Sequence, residues 1–158
     1  MKIRLIQKED NPILSKIIKN VFIEFDCAKP GTVFTDPTTD HLFEVFEEED
    51  ALCWVAEDKD QVFGCCGIFP TVGLPEKCTE LVKFYLSSDS RGKGIGKALM
   101  QKCEESAIEL GYKQIYIESL PEFGKAVGMY EKGGYKLLDH RLGDSGHFGC
   151  DIWMVKDL

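Results

Sequence analysis

The sequence lacks the features of membrane-spanning, secreted and nucleic-acid-binding proteins. Its 158 residues contain no apolar run near the ~20 residues that a membrane helix needs. The first ten residues alternate and then turn polar, unlike a signal peptide, so we expect a cytoplasmic protein with no membrane partner. Basic residues are in deficit, 19 against 27 acidic, and the net charge of −8 argues against nucleic-acid binding. It mildly favours a cationic substrate.

The cysteines also lack the spacing that is typical of metal sites. The seven cysteines include no C-x-x-C spacing, so we predict neither a metal site nor a disulfide framework. Most of them lie in apolar stretches and are expected to be small buried residues. Adjacent Cys65 and Cys66 would point to opposite faces of a strand.

The remaining composition fits one domain over residues 1–158, with no repeat and no long linker. Hydrophobic spacing and turn residues predict the element order β-α-α-β-β-β-α-β-α-β-β. The predicted strands are 2–7, 51–57, 61–69, 80–86, 115–119, 135–138 and 148–155, and the predicted helices are 11–25, 40–48, 97–110 and 123–132. Strands in succession followed by a β-α-β unit predict an α/β fold with a mixed sheet.

A glycine-rich loop follows the fourth predicted strand. It reads Arg91-Gly92-Lys93-Gly94-Ile95-Gly96-Lys97, with three glycines at alternate positions just before a helix. Glycines allow tight turns and a close approach of the backbone to a ligand, and a helix start offers unpaired N–H groups to a phosphate. The three basic side chains add positive charge. The alternative is a structural turn with a solvated basic rim.

Two common nucleotide loops do not fit this segment. A Walker A loop needs glycine where Arg91 stands and Ser or Thr where Ala98 stands. The G-x-G-x-x-G dinucleotide pattern would need glycine at Lys97 or at Leu99. Both nucleotide-binding classes are therefore excluded.

The R-x-x-G-x-G spacing, preceded by Phe84-Tyr85-Leu86, resembles the acetyl-CoA loop of the GNAT N-acetyltransferase superfamily. A second segment, Ala126–Tyr135, resembles that family's A-x-x-h-Y-E-K-x-G-F/Y signature, where h is apolar. The element order over nearly the whole chain is similar too. The resemblance implies a GNAT-type mixed, mostly antiparallel central sheet flanked by helices.

The same resemblance implies how acetyl-CoA, as co-substrate, would bind. The backbone of the glycine loop would hold the pyrophosphate, and the fourth strand, splayed from its neighbour after Ile117, would pair with the pantetheine amides. The implied binding residues are Phe84, Tyr85, Leu86, Arg91, Gly92, Lys93, Gly94, Ile95, Gly96 and Lys97. One departure stands out: Phe123 replaces an asparagine that many members use to contact CoA.

The implied reaction is direct transfer of an acetyl group to a primary amine of a small molecule or peptide. Tyr130 matches the tyrosine that protonates the leaving thiolate, and its alternative is simple packing. Glu80 is the first candidate for the general base and Glu118 the second; either could instead orient a cationic substrate or be a solvated carboxylate. His41, His140 and His147 are expected to be polar surface groups, and a Cys150 acyl relay stays open.

Three other possibilities remain at this stage. The chain could be a non-catalytic acyl-CoA-binding sensor or interaction module, or an acyltransferase that uses another acyl-CoA. A homodimer is possible, with the final strand pairing between chains.

Overall fold

A computed structural model describes residues 1–158. Its strands are β1 (Lys2–Leu5), β2 (Leu52–Asp58), β3 (Gln61–Phe69), β4 (Cys78–Leu86), β5 (Gln114–Ser119), β6 (Lys136–Leu138) and β7 (Ile152–Asp157). Its α-helices are α1 (Asn11–Glu24), α2 (Leu42–Val45), α3 (Ile95–Glu109) and α4 (Gly124–Lys132). This is the predicted order of elements, and no helix is long and apolar enough to cross a membrane.

All seven strands form one sheet in the order β1-β2-β3-β4-β5-β7-β6. Every neighbouring pair is antiparallel except β4 and β5, which are parallel. The prediction of a mixed, mostly antiparallel sheet is confirmed. Within the chain, β7 has β5 on one side and β6 on the other, so both of its edges are occupied, and the possible homodimer stays a prediction.

Helices cover both faces of the sheet. One face packs on α3 and α4 through residues such as Leu99, Cys103 and Tyr130. The other face packs on α1 and α2 through residues such as Phe22 and Leu42. Each face has its own apolar core, and the sheet separates them.

The cysteines divide between these two cores. Cys65 belongs to the core under α1 and Cys66 to the core under α3, as the alternation of a strand requires. Six of the seven cysteines are buried and all are free thiols, which agrees with the sequence prediction.

Several element boundaries differ from the prediction. The second helix is a single turn, α2, after a 3₁₀ turn at Pro37–Asp40, where Asp36 accepts a hydrogen bond from the Thr38 N–H. The Asn11 side chain, expected to cap α1, accepts a hydrogen bond from the Phe43 N–H in the first turn of α2. The last strand begins at Ile152 rather than 148, because residues 139–151 form a long loop without regular structure.

Candidate functional site

The sheet opens between its two parallel strands. β4 pairs with β5 only from Cys78 opposite Gln114 to Leu81 opposite Ile117. Beyond Leu81, β4 keeps β3 as its neighbour, whereas β5 continues beside β7 alone. The backbone of residues 82–86 therefore has a free side that faces the gap, as predicted.

A β-bulge in β4 accompanies this opening. Cys65 pairs with Tyr85 and Gly67 pairs with Val82, so Cys66 lies opposite two residues, Lys83 and Phe84. Lys83 has a φ of +53° and is the only non-glycine residue with positive φ inside a strand. A left-handed lysine costs roughly 1–2 kcal/mol, so other contacts must hold the bulge in place.

The glycine loop presents a row of unsatisfied backbone donors. The N–H groups of residues 92–97 donate to no acceptor within the chain. Gly92 and Gly94 have φ values of +76° and +78°, and a Cβ added to either would meet no atom within 4 Å. Together with the start of α3 at Ile95, the loop forms an open, positively polarised cradle suited to a phosphate group.

The basic side chains of this loop do different things. Arg91 is turned away from the cradle: its Nη1 and Nη2 donate to the two Glu24 carboxylate oxygens at 2.7 and 2.6 Å, and its Nε donates to the Leu86 carbonyl at 3.1 Å. The Arg91 side chain is thus paired with Glu24, and its contribution of charge to a phosphate site stays a prediction. It ties the loop to α1 and β4, and only Lys93 and Lys97 are exposed beside the cradle.

Tyr130 lies on the α3–α4 side of the gap. Its ring packs between Phe84 and Tyr135, with centroids 6.1 and 5.9 Å away, and its hydroxyl has no partner within the chain. Burial raises the pKa of Tyr130 above its usual value. The phenol stays protonated across the physiological range, as a proton donor must.

Glu80 lies on the opposite face of the sheet, under the α1 side. Its side chain is 3% exposed and accepts a hydrogen bond from the Thr71 hydroxyl. Burial raises the pKa of Glu80 to about 7, opposed by the Thr71 hydrogen bond, increased by the Glu118 charge and lowered by Lys83 and Arg141. A carboxyl with this pKa can take up and release a proton near neutral pH.

Glu118 is a neighbour of Glu80 but is already engaged. The Tyr116 hydroxyl donates to Glu118 Oε1 at 2.9 Å, and the Ser145 hydroxyl donates to Oε2 at 2.7 Å. With both oxygens occupied, Glu118 is less available than Glu80 to accept a substrate proton. Asp36, Glu80 and Glu118, which we call the carboxylate face, come from three distant parts of the chain.

Asp36 forms a partly buried cluster that the sequence did not predict. Asp36 Oδ2 accepts from Lys83 Nζ at 3.1 Å and from His147 Nε2 at 2.9 Å. Burial opposes ionisation, but the His147 hydrogen bond and the Lys83 charge hold the pKa of Asp36 well below its usual range. His147, expected on the surface, is 15% exposed and joins the loop of residues 139–151 to the bulge.

The other side chains noted in the sequence lie outside this chemistry. His41 and His140 are exposed, as expected. Burial raises the pKa of Cys150 to about 12, which leaves almost no thiolate for an acyl relay at neutral pH. Phe123, in place of the family asparagine, packs edge-to-face on Phe22 and Phe25. No group of His, Cys, Asp and Glu side chains is arranged to hold a metal ion.

The profile of the acetyltransferase (GNAT) family matches residues 18–135. The chain is 33% identical over 156 residues to a protein named uncharacterized N-acetyltransferase YjgM from Escherichia coli strain K12, covering 98% of this chain and 93% of that protein. Human N-acetyltransferase 8 is 29% identical over 119 residues, which cover 71% of this chain and 52% of the human protein.

Solved structures share the fold at lower identity. A GNAT-family acetyltransferase from Staphylococcus aureus Mu50 superposes with a TM-score of 0.87 at 18% identity, covering 99% of this chain and 98% of the other. An aminoglycoside 6'-N-acetyltransferase complexed with coenzyme A superposes with a TM-score of 0.72 at 21% identity, covering 99% and 97%.

The split sheet leaves a free strand edge beside the unpaired N–H groups of the glycine loop. The chain belongs to the GNAT acetyltransferase family and is an acyltransferase of the N-acetyltransferase type.

Proposed function

We propose that this protein transfers an acetyl group from acetyl-CoA directly to a primary amine of a small molecule or peptide. The observation that carries the proposal is the row of six unpaired N–H groups at residues 92–97, which follows the free edge of β4 at residues 82–86 after one 3₁₀ turn. The first would hold the pyrophosphate and the second the pantetheine amides. Two structural neighbours are titled as complexes with coenzyme A, which supports this donor.

The positions of the two candidate catalytic residues support direct transfer. Glu80 pairs with Tyr116 just before the gap opens beyond Leu81, and Tyr130 packs against Phe84, which lies along the gap. A thioester lying in the gap would be open to an amine on the Glu80 side, with its sulfur toward Tyr130. Both reactants would be bound at once, and proximity would supply much of the rate.

Transfer begins with deprotonation of the acceptor. The substrate ammonium gives one proton to Glu80, and its free nitrogen attacks the thioester carbonyl carbon. The new C–N bond forms, the C–S bond breaks, and the sulfur leaves with the bonding pair. The nitrogen loses its second proton to water, and the thiolate takes a proton from Tyr130, which recovers one from solvent.

The experiment has two parts on the full chain: thermal stability with acetyl-CoA or ATP, then thiol release with a panel of amines. Acetyl-CoA should add about 2.7 kcal/mol to stability at about one hundred times its Kd, and ATP should add much less. Amine-dependent thiol release establishes the transferase. Binding without release for any amine favours the sensor, and no stabilisation overturns the proposal.

Tyr130→Phe tests the proton donor. Turnover should fall by about 10²-fold, the lower range for loss of an acid catalyst, with acetyl-CoA affinity unchanged. Tyr135→Phe is the matched control, because it is also a buried tyrosine but its hydroxyl donates to Glu104 on α3 at 3.1 Å. Equal turnover in the two variants would show that Tyr130 only packs.

A further inference from the structure

Two of the three arginines of the chain are paired with carboxylates, and the third is not. Arg4 forms a two-pronged ion pair with Asp10 and also binds Glu57, and Arg91 forms a two-pronged pair with Glu24. Arg141 has no carboxylate within 4 Å, although Asp139, Asp144 and Asp151 lie in the same loop. An arginine that is partly buried without a counter-ion needs an explanation.

The loop holds Arg141 over the carboxylate face. Its Nη2 donates to the His147 carbonyl at 3.2 Å, and the next residue, Leu142, donates its N–H to the Tyr116 hydroxyl at 3.3 Å. His147 and Ser145 in turn fix the loop to Asp36 and Glu118. Arg141 is close enough for its charge to lower the pKa of both Glu80 and Cys150.

Its remaining donors are accessible. A guanidinium carries five N–H groups, and Arg141 uses one within the chain. No Arg141 nitrogen is both buried and unpartnered, so the unpaired donors reach solvent. Lys83, by contrast, is 5% exposed and already has a counter-ion in Asp36.

We infer that the acceptor carries a carboxylate as well as its amine, and that Arg141 binds this carboxylate while the amine lies at Glu80. The inference rests on the proposed function. It assigns the substrate class as amino acids or small peptides with a free carboxylate, rather than polyamines.

The surrounding charges favour a zwitterion over other ligands. A polyamine would place a second cation against Arg141 and would leave that guanidinium without a counter-ion. A phosphate dianion would lie close to Glu118 and Asp36, whose negative charges repel it. A monoanionic carboxylate matches the planar fork of one guanidinium and leaves the acceptor neutral overall.

The test compares matched acceptors with matched variants. Each amino acid of a standard set is assayed for acetyl transfer beside its carboxamide, and cadaverine and phenethylamine serve as amines without a carboxylate. The proteins are the wild type, Arg141→Gln, Arg141→Lys and the control His140→Gln, which changes an exposed neighbour in the same loop.

We expect the wild type to favour the best carboxylate over its carboxamide by about 10- to 100-fold in kcat/KM, as one charge-assisted bidentate contact allows. Arg141→Gln should reduce that ratio to near one by raising KM for the carboxylate alone. Arg141→Lys should restore part of it, and His140→Gln should leave it unchanged.

Failure of the inference and failure of the proposed function give different results. Transfer only to the amides and simple amines, or a ratio that Arg141→Gln leaves intact, overturns the role of Arg141 while the transferase stands. No transfer to any acceptor, with or without a carboxylate, overturns the proposed function and the inference with it.

Discussion

The two halves of the candidate site are built from different materials. The donor half is backbone: free N–H groups in one loop and the free edge of one strand, all within residues 82–97. The acceptor half is side chains, drawn from residues as distant as Asp36, Glu80 and His147. A backbone site tolerates changes of side chain but not of backbone conformation, whereas the carboxylate face depends on each charge and its partner.

The difference also separates binding from specificity. Backbone N–H groups bind any ligand that has phosphate and amide groups at the right spacing. Buried and partly buried charges discriminate, because a ligand that fails to match them leaves a charge unpaired. The donor half therefore fits a common cofactor, and the acceptor half is where members of one family can differ.

The largest expected effect is on the acceptor half. Glu80→Gln should lower kcat/KM at pH 7 by about 10²- to 10⁴-fold and abolish the rise in activity that we expect of the wild type near pH 7. Glu118→Gln is the comparison, since it changes the neighbouring carboxylate whose oxygens are engaged by Tyr116 and Ser145. If Glu118→Gln removes the pH dependence and Glu80→Gln does not, the two roles are exchanged.

Glu80 should also make the stability of the protein depend on pH. Its pKa is about 7 in the folded chain against about 4.5 unfolded, so between these values the unfolded state binds fewer protons and stability falls as pH rises. Glu80→Gln should therefore stabilise the protein by about 3 kcal/mol at pH 8 and by less than about 1 kcal/mol at pH 5. Urea unfolding at the two pH values measures the difference, and a gain that is equal at both would contradict the raised pKa.

The sequence predicted the donor half of the site better than the acceptor half, because the donor half is contiguous in the chain. The glycine loop and Tyr130 each belong to a short motif of contiguous residues. Such motifs can be read directly from the sequence. Asp36, Lys83 and His147 meet only after the sheet forms, and each alone is typical of a surface residue. The fold was predictable from periodicity and resemblance, but the length of α2 was not: only Leu42–Val45 of the predicted helix 40–48 are helical, after a 3₁₀ turn that ends at Asp40. A positive φ at Lys83 has no local signal at all.

The ion pair between Lys83, in the β-bulge, and Asp36 should affect stability less than Glu80 does. Lys83→Met keeps the apolar stem but removes the cation from Asp36, which retains His147 and Thr38, so we expect a loss of about 2 kcal/mol, below the range for a fully buried pair. Asp36→Asn in the same chain should recover part of the loss. Lys19→Met is the control, since the Lys19–Asp40 pair is exposed and screened by solvent, so its loss should cost little. Equal losses in Lys83→Met and Lys19→Met, measured by urea unfolding, would mean that the bulge does not depend on its ion pair.

The smallest expected loss of stability comes from a variant that tests the donor half of the site. Gly94 and Gly111 share a left-handed φ, +78° and +87°, and an added Cβ at either position meets open space. Alanine should therefore cost about 1 kcal/mol of stability at both sites. Only Gly94 lies in the cradle, so only Gly94→Ala should also weaken acetyl-CoA binding. We expect a loss of about tenfold, because the N–H groups of the cradle would turn away from the phosphate. Calorimetric titration of both variants makes the comparison. If both keep wild-type affinity while losing the same stability, the positive φ at residue 94 serves the turn and not the donor.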